Sequence, residues 1–146
     1  MNDERLSPSL TIDPALAGVL RAALVWALDL PGCPRTVTVP AYLAELLGRV
    51  RGRGEAFLPP ERKTAVRNML RYGKYKPAGR SKPSSEYLLA AALEGDCPPS
   101  GSAGGFPLVN GPVDANNAVS LAWGYPASVF DLKKTGMELF LRRGRP

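Results

Sequence analysis

Three segments of the chain carry apolar residues at the three- and four-residue spacing of an amphipathic helix. The first spans residues 41–54 and ends in glycines. The second spans 59–73, with prolines at its start and Gly73 at its end. The third follows Ser84 or Ser85, because either hydroxyl can cap a helix. The apolar face predicted for the first helix consists of Tyr42, Leu43, Leu46, Leu47 and Val50.

A fourth helix is predicted over residues 115–123. Asp114 can cap its start, Gly124 fits the position after its end, and Pro126 prevents its continuation. The predicted apolar side consists of Ala115, Ala118, Val119, Ala122 and Trp123. A second arc of the helix surface consists of Asn116, Asn117 and Ser120. That second arc is polar yet carries no charge.

Short segments with strand character lie between the helices and at both ends of the chain. Residues 35–39 are alternating and β-branched, and a second strand is predicted over residues 138–143. The apolar segment 21–30 fits either a buried strand or a helix. We therefore expect an α+β fold in one domain, residues 1–146, with a mixed β-sheet and helices packed around it. The expected strands lie near 10–12, 21–30, 35–39, 127–132 and 138–143.

Composition removes several classes of chemistry. The chain has no histidine, which excludes histidine-based acid and base catalysis and most zinc sites. Cys33 and Cys97 are far apart and match no metal spacing, so free thiols are favoured over a disulfide. No apolar run reaches the length of a membrane span, and the acidic, polar N-terminus is not a signal peptide. We expect a cytoplasmic protein without a metal or other cofactor.

The charge of the chain favours an acidic partner. Net charge is +6, and eight basic residues without an acidic one lie between positions 62 and 82. Such a run is typical of nucleic-acid binding, although a solvated surface is the alternative. The candidate RNA-binding residues are Lys63, Arg67, Arg71, Lys74, Lys76 and Arg80, of which the first three share one side of the second helix.

The paired amides at 116 and 117 also call for an explanation, because asparagine is a poor helix former within a helix. Neutral amides suit a pocket, where they can donate and accept hydrogen bonds without the free energy of burying a charge. Alternatively, they bond to a nearby loop and hold the fold together. Asp114 fits a helix cap better than a catalytic base, and Tyr75, Tyr87, Tyr125 and Trp123 are candidates for stacking on bases.

Two stretches carry a family resemblance. SKPSSEYLL, followed by VDANNAVSLAWGYPASVFDL, resembles the B3/B4 domain of the bacterial phenylalanyl-tRNA synthetase β subunit and its free-standing relatives. The resemblance is sharpest over residues 67–134. It implies a B3/B4-like α+β domain that binds tRNA or aminoacyl-tRNA, and an editing site that hydrolyses mischarged aminoacyl-tRNA in trans.

The same resemblance implies a substrate pocket lined by Asn116, Asn117, Ser120 and Ser128. Asn117 matches the family's pocket asparagine, while Ser128 stands where the family has histidine. The family's acidic pocket residue lies on strands that follow the position of Asp131 and Leu132, whereas this chain ends at Pro146. We therefore expect a shortened member of the family, or a sequence that stops early.

Three functions remain open on the sequence. The first is an aminoacyl-tRNA deacylase that works without histidine by positioning a water. The second is a non-catalytic module that binds RNA or an amino acid-like ligand. The third is a structural or protein-interaction domain whose basic surface meets an acidic partner.

Overall fold

A computed structural model describes residues 7–27, 30, 32–94 and 105–144. The chain divides into two compact units: Gly32–Val129, and a unit made from the two ends, Met1–Pro31 with Phe130–Pro146. Helices and strands both occur, which is compatible with the expected α+β class. Among the described residues, no helix is long and apolar enough to cross a membrane.

The unit Gly32–Val129 is helical. Each of the four predicted helices is present, although the ends of most differ by a few residues from the prediction. The helices are α1 (Ala41–Arg53), α2 (Pro60–Leu70), α3 (Ser84–Glu94) and α4 (Gly111–Trp123). Short 3-10 turns lie in two of the connections, Gly54–Phe57 between α1 and α2 and Gly79–Ser81 between α2 and α3.

The core of this unit lies where α1, α3 and α4 pack against each other. The predicted apolar face of α1 is confirmed except for Tyr42, which is half exposed. Burial of each large side chain contributes about 1.5–3 kcal/mol, so this cluster dominates the stability of the unit. The core consists of Leu43, Leu46, Leu47, Val50, Phe57, Leu58, Leu88, Leu89, Ala92, Phe106, Ala118 and Leu121.

The start of α4 differs from the prediction. The helix begins at Gly111, and its cap is Asn110, whose Oδ1 accepts a hydrogen bond from the Val113 backbone N–H at 3.1 Å. Pro112 suits the first turn because its φ is already helical. Asp114 therefore lies inside the first turn, where it is fully buried.

Of the side of α4 that was predicted to pack on the core, only Ala118 is buried. Val119 and Trp123 are 55% and 64% exposed, and Ala115 and Ala122 are exposed as well. The buried line instead runs through Asp114, Ala118 and Leu121, at the spacing of one helix face. This face could not be recognised from the sequence because it contains an aspartate, and a charged residue is seldom fully buried.

The end unit contains the sheet, which has two strands among the described residues. β1 (Ser9–Ile12) pairs in parallel with β2 (Glu138–Leu141), so that Ser9 lies opposite Glu138. The strands predicted near 10–12 and 138–143 are thus confirmed in position. One helical turn, α5 (Leu132–Thr135), capped by Asp131, lies just before β2.

The wider sheet was a wrong prediction. Residues 35–39 form only an isolated bridge between Arg35 and Asn110, and Val37 is 82% exposed. Residues 21–27 and 127–131 form neither strand nor helix. A β-branched or apolar run becomes a strand only when a neighbouring strand accepts its hydrogen bonds, and these segments have none among the described residues. Residues 28 and 29 of the segment 21–30, and residues 95–104, lie outside the described residues.

Candidate functional site

Two side chains of the predicted pocket form hydrogen bonds to the backbone of the segment that follows α4. The Asn116 amide nitrogen donates to the Ala127 carbonyl at 3.3 Å. The buried Ser120 hydroxyl donates to the Tyr125 carbonyl at 2.6 Å. Both bonds tie the returning segment to the helix, so these two side chains fit the alternative in which polar groups hold the fold together.

Asn117 and Ser128 have different surroundings. Asn117 is half-buried, and its amide makes no hydrogen bond within the part of the chain that the structure describes. Ser128 is exposed and follows Ala127, the acceptor of the Asn116 bond. The Asn117 amide therefore keeps its full hydrogen-bonding capacity for a ligand, whereas the Asn116 amide has already used one N–H.

The acidic residue of α4 is sealed from solvent. Asp114 Oδ1 accepts from the Val109 backbone N–H at 2.8 Å, and Oδ2 is buried without a partner among the described residues. Burial first, and then the charge of Asp114, raises the pKa of Tyr42 above its ordinary value. A carboxylate in this position stabilises the start of α4 and has no access to a substrate.

The predicted RNA-binding residues divide into two groups. Arg67 belongs to α2 and forms a bidentate ion pair with Glu86 of α3, with Nε to Oε1 at 2.7 Å. Lys63, also on α2, is half-buried. This ion pair neutralises Glu86, which is the first acidic residue after the basic run. The other four predicted cations, Arg71, Lys74, Lys76 and Arg80, are exposed.

Those four cations lie in one connection, residues 71–82, which we call the basic loop. The loop contains Lys82 in addition and no acidic residue. It leaves α2 after Leu70, turns at Gly73 and ends just before α3. Cations gathered in one short connection produce the local positive potential that a phosphate backbone requires.

Tyrosine hydroxyls hold the basic loop in shape. Tyr75 Oη donates to the Ser81 carbonyl at 2.9 Å, and Tyr87 Oη, from α3, donates to the Arg80 carbonyl at 2.7 Å. The Lys82 ammonium lies 4.5 Å from the centre of the Tyr87 ring. Pro77 is fully buried, so the middle of the loop is anchored.

Sequence reasoning overlooked two residues of this region. The second helix was predicted to extend to residue 73 and so to include Tyr72, but it ends at Leu70 and Tyr72 is 49% exposed. The Tyr-Gly-Lys-Tyr order was the available signal, since glycine between two β-forming residues is typical of a tight turn. Arg62 was not singled out, yet its guanidinium lies 4.6 Å from the centre of the Tyr125 ring and donates to the Trp123 carbonyl.

The described residues contain no group of three or more His, Cys, Asp or Glu side chains placed to hold a metal ion. The chain matches no protein-family model, no curated protein and no solved structure.

Proposed function

We propose that the protein binds RNA through the basic loop and that tRNA is its partner. The observation that carries the proposal is the set of four exposed cations in the loop, Arg71, Lys74, Lys76 and Arg80, without an acidic residue among them. The nearest carboxylate after the loop, Glu86, is already paired with Arg67. Glu86 is therefore not a partner for Lys74, Lys76 or Arg80, and the charge of these three residues is available to an external anion.

Tethering of the loop supports the same function. Two tyrosine hydroxyls and a buried proline hold it, so its cations are displayed on a partly ordered backbone. A preorganised surface loses less conformational entropy on binding than a flexible segment does. The B3/B4 resemblance is what selects tRNA among RNAs, and with it we propose a B3/B4-like domain that acts in the cytoplasm.

Hydrolysis of mischarged aminoacyl-tRNA is the second candidate, and Asn117 favours it. Its half-buried amide keeps a donor and an acceptor for an aminoacyl group, whereas Asn116 and Ser120 are engaged with backbone carbonyls. An aminoacyl ester is labile, so a positioned water and one donor near the carbonyl would accelerate its hydrolysis. The neighbouring ribose hydroxyl of the tRNA would assist that step.

The salt dependence of tRNA binding tests the first proposal. The variant Lys74→Gln/Lys76→Gln removes two exposed charges of the loop. The matched control, Lys133→Gln/Lys134→Gln, removes two exposed charges from α5. The logarithm of the affinity falls linearly with the logarithm of salt concentration, with a slope of roughly 0.7–0.9 per phosphate contact.

We expect the loop variant to bind tRNA more weakly and to reduce that slope by about 1.4–1.8, and the control to change little. Equal slopes for wild type and the loop variant would refute the basic loop as the RNA site. Affinity that does not respond to salt would refute an electrostatic interface altogether.

Deacylation tests the second candidate. A panel of correctly charged and mischarged tRNAs is incubated with wild type and with Asn117→Ala, and released amino acid is measured. Release by wild type alone would establish a trans-editing hydrolase and identify the amino acid. No release from any tRNA that the protein binds would leave a binding module without the chemistry.

A further inference from the structure

The two tyrosines of the basic loop are paired across its tight turn. Tyr72 and Tyr75 form an antiparallel bridge, and the Tyr75 backbone N–H donates to the Tyr72 carbonyl at 2.9 Å. Gly73, inside the turn, has a φ of 54°, which residues with a side chain seldom adopt. Side chains of directly paired residues leave the same face of the backbone with Cβ atoms about 5 Å apart. The two rings therefore start side by side.

Both rings are half exposed rather than packed into the core. Tyr72 is 49% and Tyr75 46% exposed. The Tyr75 hydroxyl is held by the Ser81 carbonyl, so its ring has a fixed orientation. An oriented ring loses little rotamer freedom when a flat ligand stacks on its open face.

The chemistry around the rings selects the ligand. Lys74 lies inside the turn, and Arg71 and Lys76 flank the pair in sequence, all of them exposed. A ligand that matches both the cations and the two rings carries repeated negative charges and flat apolar groups. Single-stranded nucleic acid has both, because its bases are free to stack on aromatic side chains while its phosphates meet cations. A duplex offers the same charges but keeps its bases paired and stacked on each other.

We propose that Tyr72 and Tyr75 form a stacking platform for unpaired bases, so that the basic loop selects single-stranded segments of nucleic acid. The inference rests on the proposed RNA-binding function of the loop and adds the class of ligand. Charge holds the backbone of the strand, and the two rings distinguish a strand with accessible bases from one without.

The experiment compares two probes that differ only in their bases. One is a fluorescently labelled oligodeoxyadenylate of about eight nucleotides, within the range that single-strand binding sites cover. The other is an abasic strand with the same number of phosphates. Affinities are measured by fluorescence anisotropy for wild type, Tyr72→Leu, Tyr75→Leu and the phenylalanine variants at both positions. Tyr42→Leu is the matched control, since Tyr42 is 48% exposed and lies on α1.

We expect wild type to bind oligodeoxyadenylate more tightly than the abasic strand. Each leucine variant should lose roughly 5- to 100-fold in affinity for the adenylate and little for the abasic strand. Phenylalanine at position 72 should retain the preference because it keeps the ring. Tyr42→Leu should behave as wild type.

Equal affinity for the two probes, with leucine variants that bind as wild type does, would overturn the platform. In that case, binding that still weakens with salt and in Lys74→Gln/Lys76→Gln would leave the proposed function standing. Failure of both probes and of tRNA to bind at low salt would overturn the platform together with the proposed function. Loss of adenylate binding in Tyr42→Leu to the same extent as in the loop variants would also count against the platform, since it would trace the effect to folding.

Discussion

Arg67 of α2 and Glu86 of α3 face each other in a two-point ion pair, with Nε to Oε1 at 2.7 Å and Nη2 to Oε2 at 2.6 Å. Glu86 is the more buried partner, with 11% of its side chain exposed against 40% for Arg67. Hydrogen bonding to Glu86, and then its charge, raises the pKa of the Arg67 guanidinium above its ordinary value. The pair joins two helices and also withdraws one cation from the surface that we propose for RNA.

Replacing Glu86 should therefore separate stability from binding. We expect Glu86→Gln to lower the free energy of unfolding by about 1 kcal/mol, because the partly exposed pair loses its charge and one strong hydrogen bond. The same change should increase tRNA affinity at low salt, since Arg67 is no longer neutralised. Urea unfolding and a binding titration measure the two effects.

Glu45→Gln is the control, because Glu45 is exposed on α1 and the substitution changes net charge by the same amount. An equal gain in affinity in both variants would show that overall charge, and not release of Arg67, is responsible.

The neighbouring amides of α4 should differ in what they contribute to stability. Asn116→Ala removes the bond to the Ala127 carbonyl and should lower the free energy of unfolding by about 1 kcal/mol. Asn117→Ala removes no hydrogen bond within the described residues, so its thermal midpoint should stay close to that of wild type. Thermal unfolding of the two variants side by side makes the comparison. A large loss of stability in Asn117→Ala would place that amide in the structure and remove it as a candidate ligand-binding group.

The helices could be predicted because their signals are local. The apolar spacing of α1 and the glycine that ends α4 act within a few residues, and both were identified. Gly124 has a φ of 72°, the left-handed conformation that a helix-ending glycine supplies. The strands could not be predicted equally well, since strand formation depends on a partner elsewhere in the chain. Val37 shows the failure: its segment has the alternating pattern, yet the residue is 82% exposed.

The candidate site was predictable in composition but not in arrangement. The exposed cations of the basic loop follow from the sequence, because charge runs stay in solvent. The diversion of Arg67 to Glu86 does not follow, since it requires α2 and α3 to lie side by side. Nor does the inward position of Asp114, which depends on a backbone N–H from Val109 reaching its carboxylate.

Gly124 should tolerate no side chain. Its φ is 72°, and a Cβ built there would lie 2.8 Å from Leu58 Cδ2 and 3.2 Å from Arg62 Cγ. We expect Gly124→Ala to lower the free energy of unfolding by about 2–3 kcal/mol, through left-handed strain together with displacement of a core leucine. Chemical denaturation measures the loss.

Gly111→Ala is the matched control at the other end of α4, where nothing lies within 4 Å of the added Cβ. Alanine there should be neutral or slightly stabilising. A loss at position 111 similar to that at position 124 would contradict the steric explanation.

Tyr42 should make the protein less stable in alkali. Burial and the charge of Asp114 raise the pKa of Tyr42 above its ordinary value of 10.0, so the folded state holds the phenol proton more tightly than the unfolded state does. The stabilisation is fully present below the unfolded pKa. It is lost as pH rises through the folded pKa, because the unfolded state then binds fewer protons.

Other groups titrate in the same range, so the informative quantity is the difference in free energy of unfolding between wild type and Tyr42→Phe. We expect wild type to lose stability relative to the variant as pH rises from about 9 to about 11. Asp114→Asn should reduce that relative loss, because it removes the charge that disfavours the phenolate while leaving an oxygen to accept from Val109. A difference between wild type and Tyr42→Phe that stays constant with pH, measured by urea unfolding at each value, would show that Asp114 and burial do not act on this phenol.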